Sequence, residues 1–140
     1  MGNKISSLKE KFRIALTSTA KVISDDLISK KRSSENKDLK DLNKIDINEL
    51  NNPLDFIKLR AETDSVALKK RFSDELVYKK NLPTNSSSKS LYNIAEKIRY
   101  EILGSKMLKG IEKNLTQNYT QIINHKRKDQ LKTKEDVTVN

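Results

Sequence analysis

Residues 90–119 read SLYNIAEKIRYEILGSKMLKGIEKNLTQNY, and the folding of this stretch decides the architecture of the chain. Leu91, Ile94, Ala95, Ile98 and Ile102 recur at the three- and four-residue spacing that lines one face of a helix. After Gly104-Ser105, the residues Met107, Leu108, Ile111, Leu115, Tyr119 and Ile122 repeat the pattern. The spacing predicts a helical hairpin or a sharply kinked helix whose apolar stripes face the core. Gly104 is the expected C-cap of its first half. Gly110, inside the second half, costs about 1 kcal/mol relative to alanine and points to close approach of a neighbouring helix.

Upstream, Ser7 and Glu10 form an S-x-x-E capping box at the head of a first helix. Its stripe is Leu8, Phe12, Ala15, Leu16, Thr19, Ile23 and Leu27, with Phe12 the largest anchor, and Lys30-Lys31-Arg32 close it. Asn52-Pro53 opens a further helix, Asn as N-cap and Pro at the first helical position. Its stripe of Leu54, Ile57, Ala61, Leu68, Phe72 and Leu76 runs to about Lys80. Asp64-Ser65 interrupts that stripe, and a polar pair at the helix edge is the plainer reading beside a functional carboxylate. Residues 33–52 are a loosely ordered connection and residues 81–89 a loop, with Ser90 or Ser88 capping the next helix. Residues 1–6 lead into a helical domain at 7–124, and residues 125–140 are a flexible basic tail expected to be disordered. MGNKIS fits the pattern for N-myristoylation of Gly2, though an ordinary chain start is the plainer reading and one acyl chain anchors only marginally.

Composition agrees with an all-α domain of three to five helices. Apolar and charged residues each make up 34% of the chain, with three glycines and two prolines, too few turn formers for a sheet-rich fold. Without cysteine there is no disulfide, thiolate metal site or thiol nucleophile. No apolar run approaches the roughly 20 residues of a membrane span or resembles a signal peptide, so a cytoplasmic protein is expected. The net charge of +10 is uneven: residues 35–64 hold eight acids against five bases, which leaves +13 elsewhere. An acidic partner is implied; nucleic acid is the weaker candidate, because aromatic residues rarely alternate with the lysines.

Catalytic chemistry finds no footing. Gly2, Gly104 and Gly110 cannot build a phosphate-binding loop. The lone His125 stands beside Lys126, Arg127 and Lys128, which disfavour a bound cation. Glu96, Arg99 and Glu101 read as helix-flank charges, with Lys97 and Glu101 spaced to pair. No catalytic residue and no directly bound cofactor or metal is expected.

The order of residues within LYNIAEKIRYEILGSKMLKGIEKNL resembles the signature region of the T subunit of aerobic cobaltochelatase. The matching positions are Tyr92, Glu96, Arg99, Glu101, Gly104, Met107, Gly110, Asn114 and Leu115. Upstream, Arg60, Asp64, Ala67, Leu68, Asp74 and Pro83 match a second family element, and KEKFRIALTSTAKVISDD resembles its N-terminal element. Ala61 stands where the family favours glycine, and Ser73 and Tyr78 where it favours histidine. The family's von Willebrand factor A-type domain carries Asp-x-Ser-x-Ser, which does not occur in these residues.

The resemblance implies a non-catalytic subunit of a chelatase, itself a ligase, that inserts Co2+ into hydrogenobyrinic acid a,c-diamide. ATP, Mg2+ and Co2+ then belong to the assembled complex. The implied partners are an AAA+ ATPase subunit, a large tetrapyrrole-binding subunit and a separate A-type domain chain. The chain is expected to be a shortened homologue or one half of a split gene, with a decayed or repurposed interaction module as the alternative. Arg60, Asp64, Asp74, Glu96, Arg99, Glu101, Gly104, Gly110 and Asn114 are the candidate motif or partner-contact residues.

Overall fold

The structure is a computed structural model that describes residues 2–24 and 50–137. The described residues form five helices and no strands. These are α1 (Gly2–Ile23), α2 (Pro53–Phe72), α3 (Glu75–Asn81), α4 (Ser86–Met107) and α5 (Lys109–Val137). The all-α expectation holds, and the five helices among the described residues fall within the expected three to five. Leu27, the cationic end at 30–32 and most of the connection at 33–52 lie outside the described residues.

Helix α2 is the hub: it packs against α1, α4 and α5, while α4 and α5 pack on each other. Phe12 meets Phe56 edge to face at 5.0 Å between ring centres, and Arg71 Nη1 donates to the Ile23 carbonyl at 3.2 Å. Those two contacts fall in the same order along both helices, so α1 and α2 run parallel. The core is thin and alanine-rich: Ala20 and Ile23 from α1, Ala61, Ala67 and Leu68 from α2, Tyr100 from α4, Ile111 and Leu115 from α5, with Phe72 against it.

The start of α2 follows the sequence reading. Asn52 accepts from the Leu54 amide at 3.0 Å, and the Asp55 carboxylate accepts from the Asn52 amide at 3.2 Å, a reciprocal cap. Several boundaries differ. α1 begins at Gly2, so Ser7 lies inside it and Glu10 pairs with Arg13 rather than capping. Its buried face is Leu16, Ala20 and Ile23, while Ala15 and Thr19 are exposed. α2 stops at Phe72 because the Asp74 carboxylate accepts from the amides of Leu76 and Val77 and starts α3 there. Asn85, not Ser88 or Ser90, caps α4 by accepting from Ser87 and Ser88. The turn of the hairpin is the extended Leu108, four residues past Gly104, so Gly104 is an interior helix residue. α5 continues past residue 124, where the tail was expected, and the described side chains from Ile122 to Lys132 are exposed.

Candidate functional site

Two polar clusters join α2 to the hairpin. In the first, Asp64 and Ser65 are buried in the middle of α2 and not at a helix edge. Ser65 Oγ donates to Glu101 Oε1 at 2.6 Å, and Tyr119 Oη donates to Glu101 Oε2 at 2.6 Å. Both oxygens of a buried carboxylate are thereby satisfied, one from α2 and one from α5, with Lys97 Nζ at 3.8 Å as a looser ionic neighbour. Burial raises the Tyr119 phenol well above its ordinary range, and its bond to the anionic Glu101 raises it further. Asn114 Nδ2 donates to Asp64 Oδ2 at 2.7 Å, tying α5 to α2. Burial raises the Asp64 carboxyl, while Asn114 and the nearby charge of Arg60 pull it down.

The second cluster closes the end of α2. Arg99 donates to both oxygens of Glu96 at 2.7 and 2.8 Å, and also to the Phe72 carbonyl at 2.6 Å. Ser73 Oγ donates to Glu96 Oε1 at 2.7 Å. A guanidinium is thus held on the negative end of the α2 dipole. The Arg99 hydrogen bonds, helped by Ser73 and opposed by partial burial, hold the Glu96 carboxyl at about 2.

Most of the polar motif positions are committed within the chain: Glu101, Asp64 and Asn114 to the first cluster, Glu96 and Arg99 to the second, and Asp74 to the cap of α3. Arg60 is exposed and reaches Asp64 only through its charge. Gly104 faces Leu68: a Cβ there would lie 2.9 Å from Leu68 Cγ and closer still to both δ carbons. Gly110 has open space where a Cβ would be, so the expected close approach occurs at Gly104 alone of the two. The sequence reading missed Ser65 and Tyr119 as partners of Glu101. The signal available was a second stripe on α4, Asn93, Lys97, Tyr100, Glu101 and Gly104, at helical spacing.

That second stripe overturns the central expectation for α4. Tyr100, Glu101 and Gly104 are the residues turned inward. The apolar stripe faces away from the core, with Leu91 68%, Ile94 55%, Ile98 50% and Ile102 49% exposed. Since α2 presents Ser65 and Leu68 to α4, and its C-cap Ser73 reaches Glu96, a polar and small-residue face fits it and the aliphatic face is displaced outward. Four aliphatic side chains in a row over three turns form a surface suited to contact with another protein.

Among the described residues, no group of three or more His, Asp or Glu comes together in a way that could hold a metal ion. No described helix is long and apolar enough to cross a membrane. Neither a curated protein nor a solved structure is detectably similar to the chain. A family model described as cobalamin biosynthesis protein CobT matches residues 6–140, which take in both polar clusters and the outward face of α4. The chain therefore belongs to the CobT family and is associated with cobalamin biosynthesis.

Proposed function

We propose that this chain is a non-catalytic coupling subunit of the cobalt-inserting chelatase, acting through contact with the AAA+ ATPase subunit. ATP and Mg2+ are handled by that partner, and the cobalt ion and tetrapyrrole, as substrates, by the large subunit. The observation that carries this reading is the inverted use of α4. Its motif acids Glu96 and Glu101 are held inside the fold by Arg99, Ser73, Ser65 and Tyr119, while its aliphatic stripe is left outward. A helix that directs its polar groups inward and its isoleucines outward is suited to binding rather than to chemistry.

The departures from the family pattern are compatible with a working fold. Ala61 is fully buried in the core, and Ser73 donates to Glu96. These two contacts favour a maintained module over a decayed one. The test is size-exclusion and calorimetric binding between the purified chain and the ATPase subunit from the same source. Co-elution at micromolar concentration is expected, and no heat or co-elution at about 50 µM would reject the assignment. A chain that binds but fails to support cobalt insertion in the reconstituted complex would identify a repurposed interaction module.

A further inference from the structure

We infer that the outward face of α4 receives an amphipathic helix whose apolar stripe is bordered by acidic side chains. The inference deepens the contact reading above and rests on it in taking this face as functional. Leu91, Ile94, Ile98 and Ile102 lie along three turns, about 16 Å of helix axis, which matches the anchor spacing of one docked helix of three to four turns.

The border of the stripe sets the charge of the occupant. Lys97 lies three residues beyond Ile94 and Lys106 four beyond Ile102, so each is a surface neighbour of the stripe. Lys97 pairs loosely with Glu101 at 3.8 Å and lies over the Tyr119 ring, but its side chain is 49% exposed while that of Glu101 is 8% exposed. Lys106 has no acidic partner among the described residues. The other acid of α4, Glu96, is clamped by Arg99 and Ser73. Beside the stripe the protein therefore exposes the cations Lys97 and Lys106 while the acids of α4 are largely covered, so an incoming partner meets positive charge. A second copy of the chain would bring the same cations together on top of a net charge of +10 per chain, which opposes self-docking. A helix with acidic flanks meets both features at once.

The test uses the full chain and two synthetic helical peptides of about 18 residues that share one Leu/Ile stripe, flanked by Glu in one and by Lys in the other. Fluorescence anisotropy at low salt should show the Glu-flanked peptide binding at least about tenfold more tightly, with the preference shrinking severalfold at 0.5 M salt as charges are screened. Ile98→Asp should remove peptide binding while leaving the thermal unfolding curve in place. Equal affinity for the two peptides, or no binding of the Glu-flanked one at about 200 µM, would overturn the inference. So would a dimer in sedimentation that Ile98→Asp disperses, because the occupant would then be a second copy. The ATPase arm separates the two readings. ATPase binding that survives Ile98→Asp rejects this face and leaves the proposed function standing. Binding of the Glu-flanked peptide without any binding of the ATPase subunit upholds the face and rejects that function.

Discussion

Leu68 packs into the space where Gly104 lacks a side chain: a Cβ on Gly104 would meet Leu68 Cγ at 2.9 Å. Leu68 is fully buried at the junction of α2 and the hairpin, so it has little room to swing away. Helix propensity alone would favour alanine at an interior position by about 1 kcal/mol. Overpacking costs about 1–3 kcal/mol and should win here. Gly104→Ala is expected to lower the unfolding free energy by about 1–2 kcal/mol in urea titration. Gly110→Ala, with nothing within 4 Å of the added methyl, should leave stability unchanged or raise it by about 0.5 kcal/mol. A gain of stability at Gly104 would show that α2 and α4 are not held this closely.

The two apolar stripes of the hairpin should separate in mutational cost. Leu115 is buried in the core and Ile98 is half exposed. Leu115→Ala removes buried methyl groups and leaves a cavity, at about 2–5 kcal/mol. Ile98→Ala should cost less than about 1 kcal/mol and act instead on partner affinity. Chemical denaturation of the two variants side by side is sufficient, and similar losses would place Ile98 in the core.

The helical class was legible because periodicity, scarce glycine and proline, and the Asn52-Pro53-x-Asp55 cap all act locally. The cap of α2 lies where those residues put it, since a reciprocal cap needs only four residues of backbone. The inward face of α4 was hidden for a non-local reason. An apolar stripe states that burial is favourable, not which partner surface is on offer. That surface is α2 with its C-cap, where Ser65 and Ser73 prefer Glu101 and Glu96 over isoleucine. The same long-range pairing explains Asp64. Its position in an apolar stripe was visible, but its partner Asn114 lies 50 residues away. The break after Phe72 was readable in principle from Ser73-Asp74, a capping dipeptide overridden by the continuing Leu68, Phe72, Leu76 spacing.

Tyr119 gives a spectroscopic report on the first cluster. Its phenol donates to Glu101, and burial together with that anionic acceptor holds the proton on. In an alkaline titration followed by tyrosinate absorbance, one of the four tyrosines lost in Tyr119→Phe should be a late-ionising one. Tyr119→Phe also leaves Glu101 Oε2 without its donor in a buried site and should destabilise by about 1–3 kcal/mol. An early-ionising Tyr119, with no loss of stability on substitution, would dissolve the cluster.

The clip of Glu96 and Arg99 predicts a particular acid sensitivity. The Glu96 carboxyl is held at about 2 against an ordinary 4.5, chiefly by the Arg99 hydrogen bonds. A folded-state value below the unfolded one means that the clip stabilises the fold above the unfolded value and loses that contribution as pH falls from about 5 toward 2. Converted in full, the shift would correspond to about 3 kcal/mol. The Arg99 side chain is 45% exposed, so solvent screening reduces the expected contribution to about 1 kcal/mol. Asp64 works in the opposite sense. Its carboxyl is raised by burial, so protonation favours the folded state and cannot produce a loss in acid. The unfolding free energies of the wild type and Glu96→Gln should therefore differ by about 1 kcal/mol at pH 7 and converge as the pH falls toward about 2. A difference that stays constant across this range would mean that Glu96 acts through its shape and neutral hydrogen bonds, without a contribution from its charge.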